Sequence, residues 1–136
     1  SQAALVMFDI DHFKAINDTY GHQVGDTVIQ QVAELIRENL RDSDVAGRYG
    51  GEEFVLVLPE TDAKAAERVA ERCRSLIFKE QIPHANSEAG QILTVSMGIG
   101  TIVPGQHDDP RAFLDAVDRS LYQAKQQGRN RIVNGA

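Results

Sequence analysis

Residues 48–54 read RYGGEEF, and the adjacent glycines at 50 and 51 constrain the fold more than any other feature of the chain. Glycine reaches positive φ at no steric cost, and a two-residue loop between antiparallel strands needs that region. Strand character flanks the pair, over about 45–49 on one side and 53–58 (EFVLVL) on the other. A two-residue antiparallel hairpin is therefore expected. The rest of the chain interleaves helical and extended periodicities, so the hairpin must join a sheet that other strands enter through helical connections.

Residues 3–8, AALVMF, form a continuous apolar run, as expected of a strand buried on both faces, and the run stops at Asp9-Ile10-Asp11. A first helix is expected over 12–19, with Phe13, Ile16 and Tyr20 inward and Lys14, Asn17 and Asp18 on a polar side. A second covers about 23–40, with Val28, Val32, Leu35 and Ile36 on one face. Thr61 or Asp62 can cap a helix over 62–79, whose stripe Val69, Cys73, Leu76, Ile77 makes Cys73 a core residue. The segment EQIPHANSEAGQ reads as a polar loop. In ILTVSMGIGTIV, Leu93, Val95, Met97 and Ile99 share one strand face and Thr94, Ser96, Gly98 and Gly100 the other. The second face is small enough for a helix or another backbone to approach closely. Asp109 and Pro110 open a last helix, Gly128 ends it, and RIV gives a short final strand. The order βααββαβαβ, with a possible extra strand in the 92–103 region, predicts one domain over 1–136. Its fold class is α+β or α/β: a mixed central sheet of about five strands flanked by helices.

A net charge of −6 and a pI near 5.1 argue against binding a nucleic-acid duplex, which needs a basic footprint. They leave room for a nucleotide whose charge is carried by Mg²⁺. A single cysteine allows no internal disulfide, and the four histidines show no metal-ligand spacing. No apolar run approaches the ~20 residues of a membrane span, and no signal peptide is visible. The expected compartment is the cytoplasm, with any membrane anchor in segments outside this chain. The chain opens almost directly on a strand, as a fragment of a longer protein would.

Asp9 and Asp11 fall where a central strand ends, and Glu52 and Glu53 fall on the hairpin. Carboxylates gathered from two segments repel one another unless a cation such as Mg²⁺, which takes hard oxygen ligands, sits between them. Each acid alone is more often a solvated terminus; together they make that reading weaker. The first helix starts at the same strand end, and its free N–H groups suit a phosphate. Lys14 can meet that phosphate as a point charge. Lys125 and Arg129, four apart at the end of the last helix, complement its C-terminus, and can clamp a phosphate if that end faces the acids.

The strings FDIDHFKAINDTYGHQVGD, RYGGEEF, VSMGIG and YQAKQQGRN, in this order, resemble the GGDEF domain, the diguanylate cyclase family, in its GGEEF variant. The resemblance covers essentially the whole chain. It implies an enzyme that condenses two GTP into cyclic di-GMP with release of two pyrophosphates, on a fold similar to the nucleotide cyclases and the polymerase palm. By the same resemblance Asp9, Glu52 and the carbonyl of Ile10 hold Mg²⁺ or Mn²⁺, two ions per half-site. Glu52 helps remove the 3′-hydroxyl proton, and Glu53 is a further acid beside the metals. Asn17 and Asp26, with His22 nearby, read guanine. The amides of His12 and Phe13, with Lys14, Lys125 and Arg129, hold the phosphates. Arg41 and Asp44, in RxxD register and joined by Arg72, correspond to an inhibitory product site. The resemblance further implies a catalytic homodimer, a regulatory input domain in the full-length protein, and absence here of the helix and turn with which complete domains begin. A catalytically silent module that binds GTP or cyclic di-GMP is the alternative, and retention of Asp9, Glu52 and Glu53 speaks against it. A cyclase making a mononucleotide is disfavoured by the Asn17/Asp26 pair.

Overall fold

The computed structural model describes residues 2–80, 92–103, 105 and 109–135. The elements are β1 (Ala3–Ile10), α1 (Phe13–Tyr20), α2 (His22–Arg37), β2 (Val45–Arg48), β3 (Glu53–Leu58), α3 (Ala63–Lys79), β4 (Val95–Ile102), α4 (Pro110–Gln126) and β5 (Arg131–Asn134). Among the described residues their order is the one expected from the sequence, without an extra strand. The polar segment at 81–91 lies outside the described residues. The strands form one sheet in the order β2-β3-β1-β4-β5. Among the described strands only the β4–β5 pair is parallel; β3 lies antiparallel to β2 and β1, and β1 antiparallel to β4.

The two faces of β1 divide the core. Ala4, Val6, Phe8 and Ile10 pack with the apolar faces of α1, α2 and α3 and with Leu93, Val95, Met97 and Ile99. Leu5 and Met7 face the other way, toward Val117 and Leu121 of α4. The small face of β4 has the expected use. A Cβ on Gly98 would lie 2.3 Å from the Leu121 backbone nitrogen and 2.6 Å from the Val117 carbonyl oxygen, so α4 sits directly on this strand. Asp9 follows Leu5 and Met7 in the alternation and therefore lies on the α4 face.

Caps act where the sequence places them. Asp62 Oδ1 accepts from the Ala65 amide at 2.8 Å, and Asp109 accepts from the Arg111 and Ala112 amides. Cys73 is buried, which pushes its thiol up to about 11. Two expectations fail locally. Tyr20 is 54% exposed rather than packed inward, because α1 ends there and the chain turns away through Gly21 at φ 89°. The hairpin turn holds three residues, not two: Tyr49 donates to the Glu53 carbonyl, and the Glu53 amide donates to the Gly50 carbonyl. Gly50 and Gly51 both have positive φ, and the third turn residue is Glu52 itself.

Candidate active site

The site begins with the register of β1 against β3. Phe8 and Phe54 pair across the strands on the face covered by α1, α2 and α3, their rings stacked at 4.9 Å. The next pair along is Asp9 with Glu53, which projects to the opposite face. The aromatic pair thus fixes two carboxylates side by side at the end of the sheet, with Glu52 in the turn beside them.

These acids are poor in partners and rich in mutual repulsion. Asp9 is 7% exposed, and its carboxyl is raised above the usual range, first by burial and then by Glu52 and Asp118, against the pull of Lys125. Glu53 is pushed up to about 7 by burial, then by Asp9 and Asp118. Asp9 Oδ1 and Glu53 Oε1 are buried and accept no hydrogen bond among the described residues. The remaining Asp9 oxygen accepts from the Lys125 ammonium. Asp118, seven residues before Lys125 on α4, was not singled out from the sequence. Its spacing of two helical turns from Lys125 was the available signal.

Among the described residues, no three His, Cys, Asp or Glu side chains stand ready as a metal cage. The chemistry of the donors nevertheless fits a hard divalent cation. They are carboxylate oxygens, two of them buried and orphaned, in a patch where negative charge exceeds the single ammonium present.

Asp11, which the sequence places with Asp9 at the strand end, does not join this group. Its carboxylate accepts from Ser96 Oγ at 2.6 Å, Thr94 Oγ1 at 2.7 Å and the Asn130 amide at 3.0 Å. It ties the ends of β1 and β4 to the turn between α4 and β5. Arg129, expected to face a phosphate, stands 3.6 Å from Asp11 Oδ1. Lys125 and Arg129 therefore both reach the acid end of β1, each resting on a carboxylate.

His12 follows directly, in the left-handed region at φ 57°, and starts α1. Its carbonyl accepts from the Ala15 and Ile16 amides. The first helical N–H groups, those of Phe13 and Lys14, lack intrahelical acceptors. Phe13 is buried and Lys14 exposed. At the corner between α1 and α2, Asn17 Oδ1 is buried and accepts no hydrogen bond among the described residues. It lies against Gly25, where a Cβ would come within 1.9 Å of it. Gly25 was not anticipated; only this contact reveals it. Asp26 is next to Gly25, His22 opens α2, and both are exposed.

Arg41 and Asp44 lie elsewhere. The guanidinium of Arg41 binds the Asp44 carboxylate at 2.8 Å and also donates to Pro59 O and Thr61 Oγ1. Pro59 and Thr61 follow the end of β3 remote from Glu53, roughly 17 Å along the sheet from Asp9 at ~3.3 Å per residue. Arg72 is exposed on α3, in a groove with Glu67, Arg68, Glu71 and Ser75. That lining contains neither Arg41 nor Asp44.

A family model described as "Diguanylate cyclase, GGDEF domain" matches residues 1–131. Diguanylate cyclase A of Treponema denticola is 40% identical over 130 residues, 96% of this chain and 34% of that protein. The response regulator PleD of Caulobacter vibrioides is 40% identical over 96% of this chain and 29% of its own length. The chain thus spans about a third of the length of the curated relatives it matches. Among solved structures, the GGDEF domain of DgcB from Caulobacter crescentus, in complex with c-di-GMP, superposes with a TM-score of 0.86 at 35% identity, covering 98% of this chain and 78% of that one. The active GGEEF domain of a diguanylate cyclase from Vibrio cholerae gives a TM-score of 0.85 at 33% identity, covering 100% and 84%. The five-stranded sheet is the palm-like cyclase fold. With a family match over nearly its entire length, this chain belongs to the GGDEF domain family.

Proposed function

We propose that this domain condenses two GTP molecules into cyclic di-GMP and two pyrophosphates. One observation carries the reading: Asp9 and Glu53 are paired across β1 and β3, each with a buried oxygen that accepts no hydrogen bond among the described residues. A structural carboxylate is normally satisfied by its surroundings. Asp11 beside them is satisfied, which sets it apart from the site.

In this reading Asp9, Glu52 and the carbonyl of Ile10 hold the metal ions, Mg²⁺ or Mn²⁺, two per half-site. Bound there, such ions make the 3′-hydroxyl more acidic and neutralise charge on the leaving pyrophosphate. Glu52, the acid that sits in the turn itself, accepts the hydroxyl proton. Glu53 adds negative charge beside Asp9. The backbone N–H groups of His12 and Phe13, at the start of α1, hold the terminal phosphates together with Lys14, Lys125 and Arg129. Lys125 and Arg129 rest on Asp9 and Asp11, so phosphate oxygens replace carboxylate oxygens as their partners. Asn17 and Asp26 accept the N1–H and N2–H₂ donors of guanine, with His22 at the rim; adenine lacks that donor pair. Each 3′-oxygen forms a bond to the α-phosphorus of the other nucleotide, the bond to pyrophosphate breaks, and two such steps close the ring. Each chain supplies one nucleotide site, so the active unit is a homodimer, driven by an input domain elsewhere in the full-length protein.

Product inhibition at Arg41, Asp44 and Arg72 belongs to the same proposal. Its support is the placement of the Arg41–Asp44 pair, away from the acids and with the Arg41 side chain 54% exposed. The Arg41 fork is closed on Asp44, so cyclic di-GMP must exchange with that pairing.

Incubation of the domain with GTP and Mg²⁺, followed by mass spectrometry of the products, tests the reaction. Cyclic di-GMP and pyrophosphate are expected. Glu52→Gln should lower the rate by ~10²–10⁴-fold, the range for loss of a positioned base, without altering the fold. Parental turnover by Glu52→Gln would remove Glu52 from the chemistry. GTP binding without any product would favour the silent binding module.

A further inference from the structure

We propose that Arg74, on α3, is a positioning residue that sets Arg129 for the nucleotide phosphates; this rests on the phosphate-binding role given to Arg129 above. The turn between α4 and β5 is unusual. Gly128, Arg129 and Asn130 have φ of 126°, 65° and 46°, three successive residues with positive φ. The first has a helical cause. The Arg129 amide donates to Ala124 O and the Gly128 amide to Lys125 O, the paired bonds of a glycine-closed helix end. No such bond accounts for the next residue, and a left-handed backbone outside glycine persists only where its surroundings enforce it.

The enforcement comes from two sides of Asn130. From the sheet, Asp11 Oδ2 accepts the Asn130 amide at 3.0 Å. From α3, Arg74 Nη1 donates to Asn130 Oδ1 at 2.7 Å, a bond spanning 56 residues of sequence. Arg74 is itself held. Its Nε and Nη2 donate to Glu71 at 2.9 and 2.6 Å, and Glu71 also accepts from Ser75 Oγ at 2.7 Å. Glu71 neutralises the guanidinium, so what Arg74 contributes to the turn is direction rather than charge. A guanidinium offers donors in a rigid fork and can serve Glu71 and Asn130 together, which a lysine cannot do with the same geometry. Arg129 is the residue between the helix-closing bonds and this two-sided grip. Without Arg74, Asn130 loses its side-chain tie to α3 and keeps its amide bond to Asp11, with the Arg129 carbonyl accepting from Arg131 Nε at 3.0 Å, and the turn can relax toward ordinary φ and carry the Arg129 side chain away from the end of β1.

Equilibrium binding of a fluorescent GTP analogue to the intact domain tests this, with guanosine competition as the second readout. Arg74→Met should weaken GTP binding about fivefold to tenfold and leave guanosine affinity within about twofold, because the guanine contacts lie at the other end of α1. Asn130→Ala, which removes the acceptor and leaves the Arg74–Glu71 pair, should weaken GTP in the same way and carries the test if Arg74→Met does not fold. Combining Arg74→Met with Arg129→Ala should be no worse than Arg129→Ala alone. Parental GTP affinity in both Arg74→Met and Asn130→Ala, equal losses for GTP and guanosine, or losses that multiply in the double variant would each overturn the proposal. If Arg129→Ala binds GTP like the parent, the phosphate role of Arg129 falls, and this inference with it. If only the Arg74 and Asn130 variants are silent, the phosphate role survives and the positioning role does not.

Discussion

Glu53 sits where a proton and a divalent cation compete. Burial, then Asp9 and Asp118, raise its carboxyl from 4.5 to about 7. The native state therefore keeps a proton that the unfolded chain releases, and stability falls as pH rises through that window, then levels above it. Asp9 is raised by the same kind of cause and adds to the fall with the same sign. A divalent cation inverts the balance, since it binds the ionised form. The metal-free domain should lose thermal stability between about pH 5 and about pH 7.5, and millimolar Mg²⁺ should restore it mainly at the upper end. Scanning fluorimetry with and without MgCl₂ measures both. A midpoint that climbs with pH in metal-free buffer would contradict the assigned shifts.

The position of α4 carries Lys125 to Asp9, and Gly98 of β4 sets that position. A Cβ there meets backbone at 2.3 and 2.6 Å, so no side-chain rotation relieves it and the helix itself must move. Gly98→Ala should cost at least ~1–3 kcal/mol, the usual range for overpacking, and should weaken GTP binding by shifting Lys125. Gly47→Ala is the control, because a Cβ at Gly47 meets nothing within 4 Å. Urea denaturation of the two variants should separate them clearly; equal stability would mean that α4 is not seated as described. The alternation of 93–100 made this packing readable in the sequence, since one face was large and apolar and the other nearly bare. Cap residues and apolar stripes fixed the helices in the same local way. What local pattern could not reveal was decided across long separations. Asp9 and Asp11 look equivalent along the chain, but Thr94 and Ser96, 83 and 85 residues away, satisfy Asp11 and leave Asp9 to the site. Asn130 is an unremarkable residue until Arg74 binds it. The glycine pair makes the hairpin legible in the sequence, but the closing bond at Tyr49 adds a residue and puts Glu52 into the turn itself.

The reaction proposed here cannot be completed by one copy. The product is a ring with two-fold symmetry, and each nucleotide must present its 3′-hydroxyl to the α-phosphate held by the other copy. Two identical sites must face each other across a two-fold axis, with reacting atoms about 3–3.5 Å apart. The shape of the domain leaves an approach open. α4 packs on β4 and β1, while on the same side of the sheet Tyr49, opposite Glu53, is exposed beside the acids, and Val45 and Val57 are exposed about 13 Å further along the hairpin at ~3.3 Å per residue. Charge opposes the encounter, since each copy carries −6. The initial rate of cyclic di-GMP formation should therefore rise with about the second power of protein concentration while the domain is mostly monomeric, and flatten to first power once dimers dominate. Raising ionic strength toward ~0.15 M, where the screening length falls to about 8 Å, should increase the specific activity of dilute protein by weakening the repulsion between copies. Both effects can be read from initial rates over a dilution series, with sedimentation velocity reporting the monomer fraction at each point. Specific activity that stays constant across the monomeric range would mean that a single chain brings both nucleotides together, and the facing-sites mechanism would have to be abandoned.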